Sequence, residues 1–396
     1  MEEKYIDLLL KRCLNFDKSK ILFINYDKVN KSFVDKVVKR AKELGVEEIY
    51  LDENDIYSLR DKLLNLSVEE IENDPYFDKS IWDTYASKYA SFMMLDAEFP
   101  GILDDVEPAK IAVAGNTRRK SRPLFRKMEG NNEIPWVIAA LPNEVWANDI
   151  FDSYQELEDA IYKMCMVDMD DPIEAWNNYV VNLKKKSDYL NSLNIQKLHY
   201  KNSKGTDLYL TMPSNNMWTS VADDIKDNML VNMPSYEVFT TPDYRYTEGI
   251  VYSSKPLLYG GGIVDDFYIK FENGKVVDYD AKVGKDILKG IIESDDNSCY
   301  LGECALVDFN SPISNTGKVF KTTLFDENAS CHLALGDGFN LTIPNGINMS
   351  KDELLERGIN QSNNHVDFMI GTEDLVIEAI TPNGTIKIFD GNFIND

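Results

Sequence analysis

The sequence predicts an α/β N-terminal domain built on a parallel sheet, followed by an α+β, β-rich C-terminal domain that binds metal. Three observations lead there. Short apolar runs alternate with amphipathic stretches in the first half. After about residue 194 the texture changes to period-two alternation broken by turn signals. Histidine and carboxylate residues of metal-ligand type then gather in the last third.

The run Ile21-Leu22-Phe23-Ile24-Asn25 has the form of a buried strand. Val34, Val37, Val38 and Ala41 follow at helical spacing, and Gly45 can end that helix. Glu48 to Leu51 is a second short strand. Ile71 to Phe99 is expected to be mostly helical, with aromatic and aliphatic residues on one face. Ile111-Ala112-Val113-Ala114-Gly115 and Trp136-Val137-Ile138-Ala139-Ala140 are expected as further strands, with a basic helical stretch between them. Asp152 to Leu193 predicts two helices, Pro172 standing at the first position of the second. Strands that alternate with helices imply a parallel sheet with flanking helices.

Beyond that point Asp207 to Thr211 and Phe267 to Phe271 alternate as half-buried strands do, and Glu272-Asn273-Gly274-Lys275 is a hairpin turn. One helix is expected near Asp280 to Ile292 and a shorter one near Lys351 to Arg357. The expected division is residues 1–190 and 191–396.

The 396 residues carry 42 Lys and Arg against 67 Asp and Glu, a net charge of −25. Such a balance keeps a protein in solution and repels nucleic acid and anionic membrane surfaces. No segment approaches the ~20 apolar residues of a membrane span. The N-terminus is acidic and lacks a signal-peptide pattern, so a cytoplasmic location is expected. Cys13, Cys165, Cys299, Cys304 and Cys331 are scattered with no C-x-x-C pair, which argues for free buried thiols. Gly115-Asn116-Thr117 lacks the rest of a phosphate-binding signature, and Arg118, Arg119, Lys120 and Arg122 fit a solvated helix face.

Four segments carry the chemistry. Glu237 lies in Asn232-Met-Pro-Ser-Tyr-Glu-Val-Phe-Thr-Thr-Pro242, and taken alone reads as a surface glutamate. Glu303 sits inside the apolar run Leu301-Gly-Glu-Cys-Ala-Leu-Val307, where a buried charge must be paired or coordinated. His332 lies in Leu324-Phe-Asp-Glu-Asn-Ala-Ser-Cys-His-Leu-Ala-Leu-Gly336, a run in which a lone histidine is usually a satisfied core residue and Asp326 and Glu327 could cap a turn. Cys331, next to it, faces the other way on a strand and reads as packing. His365 and Asp367 form an H-x-D pair, and on a strand residues two apart share a face. Imidazole with carboxylates suits zinc, cobalt or manganese rather than a thiolate site. His199, in Leu198-His199-Tyr200, lies outside these segments and reads as a strand residue.

With these segments in view, the chain resembles the thermophilic metalloaminopeptidase family that includes aminopeptidases S and T. The stretches from Asn232, Leu301, Thr323 and His365 carry the likeness, with weaker similarity at Asp171-Pro-Ile-Glu-Ala-Trp176 and Gly205-Thr-Asp-Leu208. The resemblance implies a homodimeric enzyme that removes N-terminal residues from peptides with a free N-terminus. It also implies two divalent metal ions (zinc, cobalt or magnesium) held by Glu237, Glu303, His332, His365 and Asp367. Glu303 is the expected bridge, and Glu237 or Glu303 the expected proton carrier. In one respect the chain departs from the family. Phe339 stands where relatives usually have an active-site tyrosine, seven residues after His332. A phenol can donate a hydrogen bond to a developing oxyanion and phenylalanine cannot; loss of one such donor costs about 10²–10³ in turnover. Tyr236, Tyr244 and Tyr246 are candidate replacements. Two other readings share the site: a metal-stabilised peptide-binding protein with weak or no catalysis, and an amidase of non-peptide substrates.

Overall fold

A computed structural model describes residues 1–15, 20–221, 229–260 and 262–394. The chain forms two compact units. One comprises Met1–Asn178 and Asp224–Pro234, the other Tyr179–Asp223 and Ser235–Asp396.

The first unit is built on a five-stranded sheet in the spatial order Glu48–Asn54, Ile21–Asp27, Ser91–Asp96, Trp136–Ala140 and Asn232–Met233. Every neighbouring pair is parallel. Helices such as Lys31–Glu43, Pro108–Lys120 and Tyr154–Met164 connect the strands, as parallel pairing requires. Phe23, Trp82, Phe92 and Phe125 pack against one face with ring centroids 4.6–5.7 Å apart. Burying each such ring stabilises the unit by roughly 1.5–3 kcal/mol.

Two expectations for this unit are corrected. Ile111–Gly115 is not a strand but the middle of the Pro108–Lys120 helix. The strand that takes its place in the sheet is Ser91–Asp96, inside the stretch expected to be mostly helical. Five consecutive buried residues from Ser91 to Leu95 leave no polar face to distinguish strand from buried helix. In Ile111–Gly115 a similar ambiguity resolves the other way, because Pro108 begins a helix and two alanines favour its continuation.

The second unit holds two antiparallel sheets. The nine-stranded one includes Lys197–Lys201, Asp207–Thr211 and the Gly262–Glu272/Lys275–Val283 hairpin. Asn273 and Gly274 turn that hairpin with φ of 49° and 79°, the left-handed geometry an Asn-Gly turn supplies. The expected Asp280–Ile292 helix is shorter, Lys285–Ile292, because strand pairing extends through Val283. The other sheet has four strands in the order His365–Met369, His332–Gly336, Leu301–Leu306 and Val238–Thr240. All four carry or adjoin a residue of the predicted metal site.

Candidate metal centre

Sheet register brings the predicted ligands together. Ala334 pairs with Glu303 on one side and Asp367 on the other, while Gly336 pairs with His365. With a period of two, Glu303, His332, His365 and Asp367 therefore project from one face of the sheet. Ala334, centred among them, adds only a methyl group to that face, and Ala305 opposite His332 adds another. Glu237 enters from the residue preceding the Val238–Thr240 strand.

Two three-residue groups result. Glu237, Glu303 and His332 have one ligand atom each, all within 4.8 Å of one another, and so do Glu303, His365 and Asp367. Glu303 belongs to both. His332 Nε2 lies 3.2 Å from Glu237 Oε2, and His365 Nε2 lies 3.2 Å from Glu303 Oε2 and 3.3 Å from Asp367 Oδ1. The His332 and Glu303 side chains are almost fully enclosed, whereas His365 keeps 29% of its side-chain surface, so the cluster is more open on the His365 side.

Backbone carbonyls fix both imidazoles. His332 Nδ1 lies 3.1 Å from the Ser330 carbonyl and His365 Nδ1 2.7 Å from the Asp337 carbonyl. A carbonyl can only accept, so each Nδ1 donates and each Nε2 is aimed at the carboxylates, the orientation of metal-binding histidines. The Asp337 carbonyl owes its position to Gly302. A Cβ there would lie 2.0 Å from that oxygen, at the point where the register of the Leu301–Leu306 strand shifts.

A sixth residue, Glu327, borders the cluster and was missed as a site candidate. It follows Asp326, which makes no cap bond to the turn it begins; its Oδ1 instead accepts the Phe320 backbone N–H at 2.8 Å. Burial, then the charges of Asp367 and Glu237, push the Glu327 carboxyl well above its ordinary range. Asn328 holds this carboxylate at 3.3 Å through Nδ2, and its Oδ1 accepts the Tyr236 backbone N–H at 2.6 Å, beside Glu237. The sequence signal is the pair of adjacent carboxylates Asp326-Glu327, of which the first is taken up by a backbone N–H outside the cluster.

The ionisation of the cluster follows from its crowding. Burial pushes Glu303 up to about 7, against the pull of His365. For Asp367 burial acts upward, but His365 outweighs it and holds the carboxyl down at about 2. Burial alone would lower both imidazoles. Glu237 beside His332, and Asp367 and Glu303 beside His365, instead hold them well above their ordinary value. These carboxylates thus gather positive charge between them. Glu237 Oε2 and Asp367 Oδ1 are buried and make no hydrogen bond of adequate geometry among the described residues. Two imidazoles, several carboxylates and two unsatisfied buried oxygens fit oxygen- and nitrogen-loving divalent cations.

Other predicted residues belong to neither group, although Phe339 borders one of them. The Phe339 ring stands edge-on to His365 with centroids 5.1 Å apart and packs on Phe239 at 4.9 Å. Tyr236 is buried with its ring against Tyr179, Tyr244 packs edge-on to Tyr300, and Tyr246 is exposed. His199 lies in the Lys197–Lys201 strand, stacked on Tyr209 at 3.8 Å with Nε2 2.6 Å from Asp207. Each of the five cysteines is buried and free; the Cys331 thiol is occupied by the Val307 backbone. Among the described residues no helix is long and apolar enough to cross a membrane.

A family model described as thermophilic metalloprotease (M29) matches residues 1–393. The chain is 34% identical over 388 residues to aminopeptidase AmpS of Bacillus subtilis, covering 96% of this chain and 94% of that protein. It is 34% identical over 390 residues to aminopeptidase 2 of Geobacillus stearothermophilus, with coverage of 96% and 94%. Its structure is similar to that of wild-type AmpT from Thermus thermophilus, with a TM-score of 0.90 at 26% identity, covering 100% of this chain and 99% of that one.

Proposed function

The chain belongs to the thermophilic metalloprotease (M29) family and is a metal-dependent aminopeptidase, and we propose that it works with two divalent cations. Glu237, Glu303 and His332 would hold one, Glu303, His365 and Asp367 the other. The observation that carries this reading is the membership of Glu303 in both groups. Bound there, divalent cations supply Lewis acidity for the scissile carbonyl and bring the pKa of a water toward neutrality.

The residues of the chain do the rest. Glu303 and Glu237, the expected proton carriers, present their oxygens to the cation positions. Glu327 borders both groups yet belongs to neither, so it joins them as the candidate that takes a proton from water and returns it to the leaving amine. The backbone carbonyls of Ser330 and Asp337 keep the two imidazoles from turning. A free α-amine is a cation, and a site with more carboxylates than imidazoles favours it over a blocked N-terminus. The more open His365 side is the approach for substrate. Family likeness further supports a homodimer acting on peptides in the cytoplasm.

Chelation followed by add-back of cobalt or zinc tests the reading on leucine p-nitroanilide. Hydrolysis should vanish and return, and Glu303→Gln should lose both cations. Hydrolysis that survives exhaustive chelation would overturn it. The observation favouring a second reading, a peptide binder with weak turnover, is the Phe339 ring beside His365 in place of a hydroxyl.

A further inference from the structure

The first unit contains a cleft of about 320 Å³ that no step of the proposed reaction uses. Val29, Asn30, Ser32 and Phe33, which follow the Ile21–Asp27 strand, and residues 141–145, which follow Trp136–Ala140, form two of its walls. It therefore lies at the carboxyl ends of the parallel strands. The sheet order reverses at Ile21–Asp27, which has Glu48–Asn54 on one side and Ser91–Asp96 on the other. Open α/β sheets bind ligands outside the carboxyl ends of their strands, near such a reversal.

The lining specifies the ligand. Among the described residues it includes Glu2, Glu144 and Glu158 and no lysine, arginine or histidine. Lys36 answers Glu2 at 2.6 Å, which leaves the charges of Glu144 and Glu158. The three carboxylates converge on Tyr154: burial first, then Glu158, Glu2 and Glu144 raise its phenol above the ordinary value. Tyr57 and Phe99 stand edge to face at 6.4 Å on the rim, and Tyr57 is 50% exposed, much for a large ring. Asn30 also lines the cleft. It is only 8% exposed. Its Nδ2 donates to the Pro142 carbonyl at 2.9 Å, while its Oδ1 has no partner among the described residues. Buried polar atoms rarely stay unpaired, so this oxygen calls for an N–H donor.

We propose that this cleft is a second binding site, for a small organic cation with an ammonium group on an apolar body. Carboxylates and aromatic faces both attract ammonium, and the Asn30 oxygen is the acceptor for one of its N–H hydrogen bonds. A volume near the lower end of the ~300–1,000 Å³ typical of ligand pockets suits a molecule of amino-acid size. The negative lining disfavours anions.

The test uses the full chain stripped of metal, with 2-phenylethylammonium as the probe and calorimetry as the readout. Saturable binding is expected. The double variant Glu144→Gln, Glu158→Gln should weaken it at least about tenfold, and 2-phenylethanol, the neutral counterpart, should bind at least about tenfold less tightly. Glu303→Gln, in the other unit, should leave it unchanged. Absence of binding, equal affinity for the alcohol, or full affinity in the double variant would overturn the proposal. Loss of binding in Glu303→Gln would assign the probe to the metal centre instead. Because no metal is involved, failure here leaves the peptidase reading untouched.

Discussion

Replacing Gly302 with alanine tests how the backbone positions His365. The added Cβ would lie 2.0 Å from the Asp337 carbonyl oxygen and 2.5 Å from both the Asp337 carbonyl carbon and the Gly336 oxygen. Carbon–oxygen contacts need more than 3 Å, so the two segments must part by about 1 Å or more. That displaces the carbonyl which now accepts from His365 Nδ1 at 2.7 Å. Loss of such an outer hydrogen bond costs about 10–100-fold in metal affinity or activity, and the forced separation costs about 1–3 kcal/mol of stability. Competition with a chromophoric chelator measures the affinity, and thermal unfolding the stability. Excess metal should restore part of the activity, because the ligands themselves remain. Gly302→Ala with unchanged metal affinity and melting temperature would refute the link from glycine to carbonyl to imidazole.

Three further outcomes are expected. Glu327→Gln should keep both cations by elemental analysis while turnover falls about 10²–10⁴-fold, the usual worth of a positioned acid–base group. Phe339→Tyr should raise turnover on leucine p-nitroanilide by up to about 10²–10³ if its hydroxyl reaches the developing oxyanion; unchanged turnover would show that the phenylalanine is not what limits the enzyme. Metal binding should release protons, since His332 and His365 are held protonated well above the ordinary imidazole pKa and must be neutral to coordinate. Apparent affinity should therefore fall as pH falls, about tenfold per unit for each proton released, and calorimetry in buffers of different ionisation enthalpy checks the count.

Much of this was legible in the sequence because local periodicity and sheet geometry agree. His365 and Asp367 share a face by strand alternation alone, and the paired structure keeps them 3.3 Å apart. The hairpin turn at Asn273-Gly274 was legible for a similarly local reason. What failed was nonlocal. Ser91–Leu95 is buried on both faces, so its period carries no signal, and only its place between two other strands makes it a strand. Glu327 looked like a second cap beside Asp326; its place beside the cluster depends on Asp367, Glu237 and Glu303 arriving from three other segments. The sharing of Glu303 depends equally on register across three strands, which residue spacing within one segment cannot express.

The proposed pairing of two cation sites through Glu303 is most directly tested by anomalous diffraction from crystals of the chain loaded with zinc or cobalt. Two peaks are predicted, about 3.5–4 Å apart as in other two-metal sites, one against Glu237 and His332, the other against His365 and Asp367, with Glu303 between them. A single peak, or peaks that leave Glu303 uncoordinated, would contradict the account.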